Sequence, residues 1–176
     1  AARSVYKLQE IQKKYRIIKR AARILDLGCA PGSWLQFAVR ETGPAGRLVG
    51  IDLTPLAIDL PDNATVITGD AALIEDHLGK LGQTGFDAVL SDMAPATTGN
   101  RHVDEARSVD LCEMALEIAD KRLVPGGNFV CKIFQGNDFK AFADAVKARF
   151  DRQTAFRPKS TRKASREVYV IGLGKK

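Results

Sequence analysis

The sequence predicts one doubly wound α/β domain, and three observations carry that prediction. Short apolar, strand-like runs alternate with helical stretches as far as residue 150. The first of these runs ends in a glycine turn that opens a helix, the arrangement found at the edge of a parallel sheet. Two more strand-like segments follow with no helix between them, and strands that close in sequence usually pair antiparallel. A seven-stranded, mostly parallel sheet with a terminal antiparallel strand and helices on both faces is therefore expected. A length of 176 residues suits one such domain, whereas two halves would bury poor cores. Residues 1–22 read as a basic helical segment packed on this single domain.

The elements follow in order. Val5, Leu8, Ile11 and Gln12 recur at helical spacing, so residues 5–15 read as a short amphipathic helix. Arg23–Leu27 is a buried strand, residues 28–32 a turn, and residues 33–40 the start of a helix. Arg47–Asp52 and Ala64–Thr68 are the next strands, and residues 71–81 a helix. Phe86–Ser91 is a fourth strand, followed by a loop rich in Ala, Pro, Thr and Gly. Residues 103–123 form a long helix with an apolar face through Val109, Met114, Leu116 and Ile118. Pro125-Gly126-Gly127 marks a turn before a strand at 128–134 and a helix at 138–150. Segments 153–157 and 168–172 are the late strands.

Composition narrows the function classes. Hydrophobic residues make up 45 % and charged residues 27 %, which argues against a disordered chain. No run approaches the roughly 20 apolar residues of a membrane helix, and no secretory pattern opens the chain. The sequence begins at Ala1 without Met, which leaves open whether residues precede it. Three cysteines, Cys29, Cys112 and Cys131, form no CxxC pair, so reduced thiols in a cytoplasmic protein are expected. His77 and His102 have no partner at i+3 or i+4, and no metal site is expected. Charge is segregated. Residues 1–23 hold eight Lys/Arg against Glu10, residues 24–139 eight against seventeen acids, and residues 140–176 eleven against three. Basic ends around an acidic middle suggest a small-molecule site in the middle and a polyanion contact at the ends. The plainer alternative is solvated surface charge with a basic tail.

The strongest local signal is the run from Asp26 to Trp34, with Gly28 and Gly32 in the turn. Asp52 ends the next strand, 24 residues after Gly28, where an acid can hold a ribose. The turn is not the G-x-G-x-x-G of a dinucleotide site, because Ala30 replaces the middle glycine and Pro31 removes a backbone donor. A ligand with a ribose but no phosphate suits it better, and S-adenosylmethionine is such a ligand. Asp70 follows the third strand, where it could accept from an adenine amine, and Asp26 and Asp92 add negative charge beside a cationic ligand. Each acid alone could equally be a cap or turn residue, and Trp34 could be core.

The chemistry points to an oxygen acceptor. No aromatic follows Pro95 to hold a planar amine, and none of the three cysteines stands in a nucleophile context. Lys132 lies inside an apolar strand, where a charged amine is costly unless it is paired or functional. Burial and a neighbouring positive charge would both favour its neutral, proton-accepting form. The alternative is a strand-end lysine that reaches solvent.

At this point the residues resemble a family. The ordered motifs around Lys7 (SVYKLQEI), Asp92 (SDMAP), Lys132 (VCKIFQG) and Glu167 (SREVY) resemble the FtsJ/RrmJ family of S-adenosylmethionine-dependent RNA ribose 2′-O-methyltransferases. The resemblance spans nearly the whole chain and implies a Rossmann-like class I methyltransferase fold. It implies a catalytic tetrad of Lys7, Asp92, Lys132 and Glu167, with Lys132 the proton acceptor. It implies cofactor contacts at Gly32, Trp34, Asp52, Asp70 and Asp92, to which the residue reading adds Asp26 and Gly28. The cofactor turn reads GCAPGSW where many relatives have GAAPGGW, and Ala96-Thr97 stands where bacterial relatives often have Asn-Met. Lys13, Lys14, Arg16, Lys19 and Arg20 flank Lys7, while Lys159, Arg162, Lys163 and Arg166 precede Glu167, so RNA-binding basic surface is expected to border the site. The implied substrate is large-subunit ribosomal RNA, a uridine of the A-loop in the bacterial branch, on an assembled or assembling subunit. A monomer is expected because the sequence carries no visible interface signature. Competing readings are a tRNA or cap substrate, a silent RNA-binding assembly factor, and a small-molecule O-methyltransferase.

Overall fold

The computed structural model describes residues 2–176. Seven strands form one sheet: β1 (Arg23–Leu27), β2 (Arg47–Asp52), β3 (Ala64–Thr68), β4 (Phe86–Ser91), β5 (Leu123–Phe134), β6 (Phe150–Phe156) and β7 (Glu167–Lys175). The helices are α1 (Ala2–Tyr15), α2 (Ser33–Thr42), α3 (Ile74–Leu81), α4 (Arg101–Arg122) and α5 (Phe139–Arg149). Spatial order is β3-β2-β1-β4-β5-β7-β6. Neighbouring strands from β3 to β5 pair parallel, and β7 runs antiparallel to both β5 and β6. The expected antiparallel strand is last in sequence but not at the sheet edge, since it inserts between β5 and β6.

Strand alternation divides the core in two. Leu25, Leu27, Val49, Ile51, Phe129, Cys131 and Val170 pack toward α3, α4 and α5. Ile24, Leu48, Leu90, Val130, Tyr169 and Ile171 pack toward α1 and α2. Period-two side-chain placement therefore sends Lys132 to the same side as Val130, toward α1. On α1, Leu8 and Ile11 are fully buried, as their spacing predicts. Gln12 is not part of that apolar stripe. Its side-chain amide donates to the Ile18 carbonyl at 2.7 Å and its oxygen accepts from the Ile18 N–H at 2.9 Å, closing the turn after the helix.

Three expected elements differ. Strand β5 begins at Leu123, five residues before the expected 128, and the turn expected at Pro125-Gly126-Gly127 lies within it as an irregularity, since Phe86 pairs with Leu123 but Ala88 with Asn128. The stretch 71–81 begins as a 3-10 turn, Ala71–Leu73, because Asp70 accepts from the Ala72 N–H at 2.9 Å and caps it. In α4 the buried face is Ser108, Cys112, Ala115, Leu116, Ile118 and Ala119, and Val109 and Met114 are only half-buried. Small residues let this helix lie close to β5, and Cys112 Sγ reaches the Lys132 carbonyl at 3.1 Å.

Gly172 in β7 is a close-packing position. A Cβ there would lie 2.7 Å from ring atoms of Phe150, which is buried and stacked on Phe129 at 6.0 Å. Gly172→Ala is expected to destabilise the fold by about 1–3 kcal/mol, the usual cost of overpacking, as read by chemical denaturation. An unchanged midpoint would show that Phe150 yields freely.

Candidate active site

The site forms where the C-terminal ends of the parallel strands meet the start of the reversed strand β7. The Gly28–Gly32 turn is tied to β2 by Gly28 and Cys29 N–H groups donating to the Ile51 carbonyl at 2.8 and 3.1 Å. Asp52 braces the same turn: its Oδ2 accepts from the Ala30 N–H at 2.9 Å and its Oδ1 from the Thr54 N–H at 2.8 Å. A cavity of about 330 Å³ opens over these ends, lined by Gly28, Ala30, Asp52, Asp70, Asp92 and apolar side chains that include Ile51, Met93 and Leu111. That volume lies at the small end of ligand pockets. Gly28, with φ 75, brings the turn so close to the next loop that a Cβ would lie 2.6 Å from Met93 Cγ.

The cavity is acidic beneath as well. Asp26 is fully buried, and neither of its carboxylate oxygens has a hydrogen-bond partner among the described residues. Burial, then the charges of Asp92 and Asp52, push its carboxyl well above the ordinary range. A cationic ligand relieves this repulsion, so the residues present fit a sulfonium nucleoside such as S-adenosylmethionine. Asp52 and Asp70 supply acceptors, and the apolar wall supplies a surface for a ring.

Beside the cavity, four charged side chains from four distant segments meet. Lys7 Nζ on α1 donates to Glu167 Oε2 at 2.8 Å. Lys132 Nζ lies 3.6 Å from Asp92 Oδ1 and 3.9 Å from Glu167 Oε1, with its side chain 10 % exposed. Register explains the meeting. Ser91 pairs with Cys131, which places Asp92 next to Lys132, and Lys132 pairs with Tyr169, two residues from Glu167 on the same face. Burial raises the Glu167 carboxyl, but the Lys7 hydrogen bond and the charges of Lys132, Lys7 and Arg157 outweigh it and hold it below the usual range. At Asp92 burial wins over Lys132 and Tyr169, and its carboxyl is raised.

The cysteines take no part as nucleophiles. All three are buried. Burial, followed by Asp26 and Asp52, pushes the Cys29 thiol up to about 12, and burial raises Cys131 well above its ordinary value.

The family model described as FtsJ-like methyltransferase matches residues 1–175. The chain belongs to the FtsJ-like methyltransferase family. Among its relatives, the Ribosomal RNA large subunit methyltransferase E of Desulforapulum autotrophicum is 58 % identical over 175 residues, covering 99 % of this chain and 86 % of the relative. The protein of that name from Bdellovibrio bacteriovorus is 46 % identical over 179 residues, covering 100 % and 91 %. A crystal structure from Plasmodium falciparum described as a ribosomal RNA methyltransferase superposes with a TM-score of 0.84 at 27 % identity, over 98 % of this chain and 97 % of that one. Aeropyrum pernix fibrillarin, solved with natively bound S-adenosyl-L-methionine, gives a TM-score of 0.71 at 18 % identity, over 97 % and 76 %, a likeness of fold alone.

In this FtsJ-like chain not every expected contact reaches the cavity. Gly32, Trp34 and Asp26 do not line it. Gly32 packs under Ile58 and Leu56 at the start of α2, because a Cβ there would meet Ile58 at 2.3 Å. Trp34 is core: its Nε1–H donates to the Ser4 carbonyl at 2.9 Å and its ring lies 5.8 Å from Tyr169. Lys19 and Arg20 do not border the tetrad. They line a separate cleft with Asp87 and Gly126-Gly127, at the N-terminal ends of β4 and β5, because α1 runs away from the site. Arg166 is half-buried, paired with Glu105 at 2.8 Å and donating to the Gln135 carbonyl. Lys13, Lys14, Arg16, Lys159, Arg162 and Lys163 are exposed.

The sequence reading missed Tyr169. Its hydroxyl donates to Asp92 Oδ1 at 2.8 Å from a fully buried ring. Strand alternation was the available signal, since Tyr169 shares a face with Glu167. Tyr169→Phe removes a bond that favours ionised Asp92, so that carboxyl rises further. The ionised form that holds Lys132 is lost as pH falls through the raised value. The acid limb of kcat/KM is therefore expected to move to higher pH in Y169F, with a stability loss of about 1.5–3 kcal/mol. A pH–rate profile superposable on wild type would remove Tyr169 from the site.

Proposed function

We propose that this chain transfers a methyl group from S-adenosylmethionine to a ribose 2′-OH of large-subunit ribosomal RNA, a uridine of the A-loop on an assembled or assembling subunit, acting as a cytoplasmic monomer. The observation that carries the reading is the Lys132 amine held between the Asp92 and Glu167 carboxylates at the mouth of an acidic, nucleoside-sized cavity. The names of its relatives support ribosomal RNA as the substrate.

The cofactor would supply an electrophilic methyl on a sulfonium. Asp52 and Asp70 would hold its nucleoside, and Asp92 lines the same cavity. Lys132 Nζ, in its neutral form, would orient the acceptor hydroxyl and accept its proton; the bond broken as the oxygen–carbon bond forms would be the methyl–sulfur bond that the cofactor brings. Asp92 and Glu167 hold that amine within 4 Å and would balance the charge it gains with the proton. Lys7, paired with Glu167, faces the incoming nucleotide. Positioning and desolvation supply much of the rate. The exposed cations of α1 and of residues 157–166 add phosphate contacts that give affinity with steep salt dependence.

The test is methyl transfer from radiolabelled S-adenosylmethionine to large subunits, naked ribosomal RNA and tRNA from a strain lacking the enzyme. Label in a nuclease-resistant 2′-O-methyl dinucleotide of large-subunit RNA is expected. Label confined to tRNA or to a base would overturn the substrate or the reaction.

A further inference from the structure

Glu10 is the only acid among the first 23 residues, beside eight Lys and Arg, yet its hydrogen bonds go to a segment about 150 residues away. Its carboxylate accepts from the Lys159 N–H at 2.7 Å, the Ser160 N–H at 3.0 Å and the Ser160 hydroxyl at 2.5 Å. Burial raises this carboxyl, but the three bonds and the Lys159 charge outweigh it, so it lies below the ordinary range. Lys7, Glu10 and Lys14 fall at i, i+3 and i+7, one face of α1. Lys7 meets Glu167 at the start of β7, and Lys14 Nζ lies 5.2 Å from the Phe156 ring centroid at the end of β6. This face therefore grips both ends of the 157–166 loop and, through Glu10, its middle. Inside the loop, Arg157 donates to the carbonyls of Glu167 and Arg162 at 2.9 and 3.1 Å. The side chains left outward are Lys159, Arg162 and Lys163.

We propose that Glu10 is a positioning residue for RNA: it clamps the basic 157–166 loop onto α1, so that Lys159, Arg162 and Lys163 meet the phosphate backbone already in register with the tetrad. The inference rests on the RNA reading above. A loop ordered in advance loses less conformational entropy when the polyanion docks. The sign of the effect separates this role from surface electrostatics. If Glu10 were only an acid in a basic patch, its removal would strengthen RNA binding, because the local charge becomes more positive.

The experiment compares Glu10→Ala with Glu10→Gln, which makes the same charge change but keeps an acceptor oxygen. Three readouts are taken: hydrogen exchange at the Lys159 and Ser160 amides, affinity for naked ribosomal RNA, and KM and kcat on large subunits. In E10A the two amides are expected to lose about tenfold protection, RNA affinity to fall about fivefold and KM to rise about as much. Turnover and cofactor affinity stay within about twofold, and E10Q recovers most of the RNA affinity. Ser160→Ala, which changes no charge, shifts affinity in the same direction by a smaller factor and serves if E10A folds poorly. RNA bound as tightly or more tightly by E10A, or amides that keep their protection, overturns the clamp and leaves the methyltransferase reading standing. A wild-type chain that neither binds nor methylates ribosomal RNA overturns that reading itself.

Discussion

Replacing Lys132 by alanine lowers the turnover of RNA methylation by about 100- to 10,000-fold and leaves cofactor affinity within about twofold. Lys132 is not among the residues that line the cavity, whereas Asp92 is. In the proposed reaction K132A loses the amine that would orient and deprotonate the acceptor hydroxyl, held by Asp92 at 3.6 Å and Glu167 at 3.9 Å. Lys132→Arg sharpens the test. A guanidinium keeps the positive charge and the ion pairs but cannot accept a proton. If the role is proton acceptance, K132R is as inactive as K132A. If charge alone matters, it retains most of the activity. Single-turnover transfer together with calorimetric titration of the cofactor separates these outcomes, and near-normal turnover in K132A would remove the catalytic assignment.

The second large effect lies in cofactor binding. Asp52→Ala is expected to weaken S-adenosylmethionine binding about 100-fold, because hydrogen bonds to a charged acceptor contribute about 1.5–3 kcal/mol each. Both carboxylate oxygens already hold backbone N–H groups, of Ala30 and of Thr54, so the side chain shapes the turn as well as facing the ligand. Asp52→Asn keeps one acceptor and is expected to fall between wild type and D52A. A change in D52A of less than about threefold, measured by calorimetry on folded protein, would exclude Asp52 from the cofactor site.

The five parallel strands were legible because short apolar runs alternate with helical spacing. Strand β7 extends at both ends beyond the expected 168–172, and β6 begins three residues before the expected 153 while ending one short of 157, since strand pairing recruits flanking residues such as Phe150 and Lys175. Of the expected α4 face Leu116 and Ile118 are buried, but the small buried residues Cys112, Ala115 and Ala119 were missed because they carry little hydropathy, and Val109 and Met114 are only half-buried. The tetrad was legible through motif order, not spacing: nothing local links Lys7 to Glu167. Glu10 was illegible for the same reason, as its partners lie 149 and 150 residues away. Lys19 and Arg20 misled because they lie beyond the end of α1 at Tyr15, in the segment that leads into the N-terminal end of β1, far from the strand ends that hold Lys132.

The reversed strand β7 has a consequence for how the molecule is made. It fills the place between β5 and β6, so β6 has no partner in the sheet until the final strand arrives. The pair that closes the tetrad, Lys7 with Glu167, joins residues 160 apart. During synthesis every residue that lines the cavity, from Gly28 to Met114, leaves the ribosome well before Glu167. A nascent chain is thus expected to gain a place for the cofactor first and the ability to use it last.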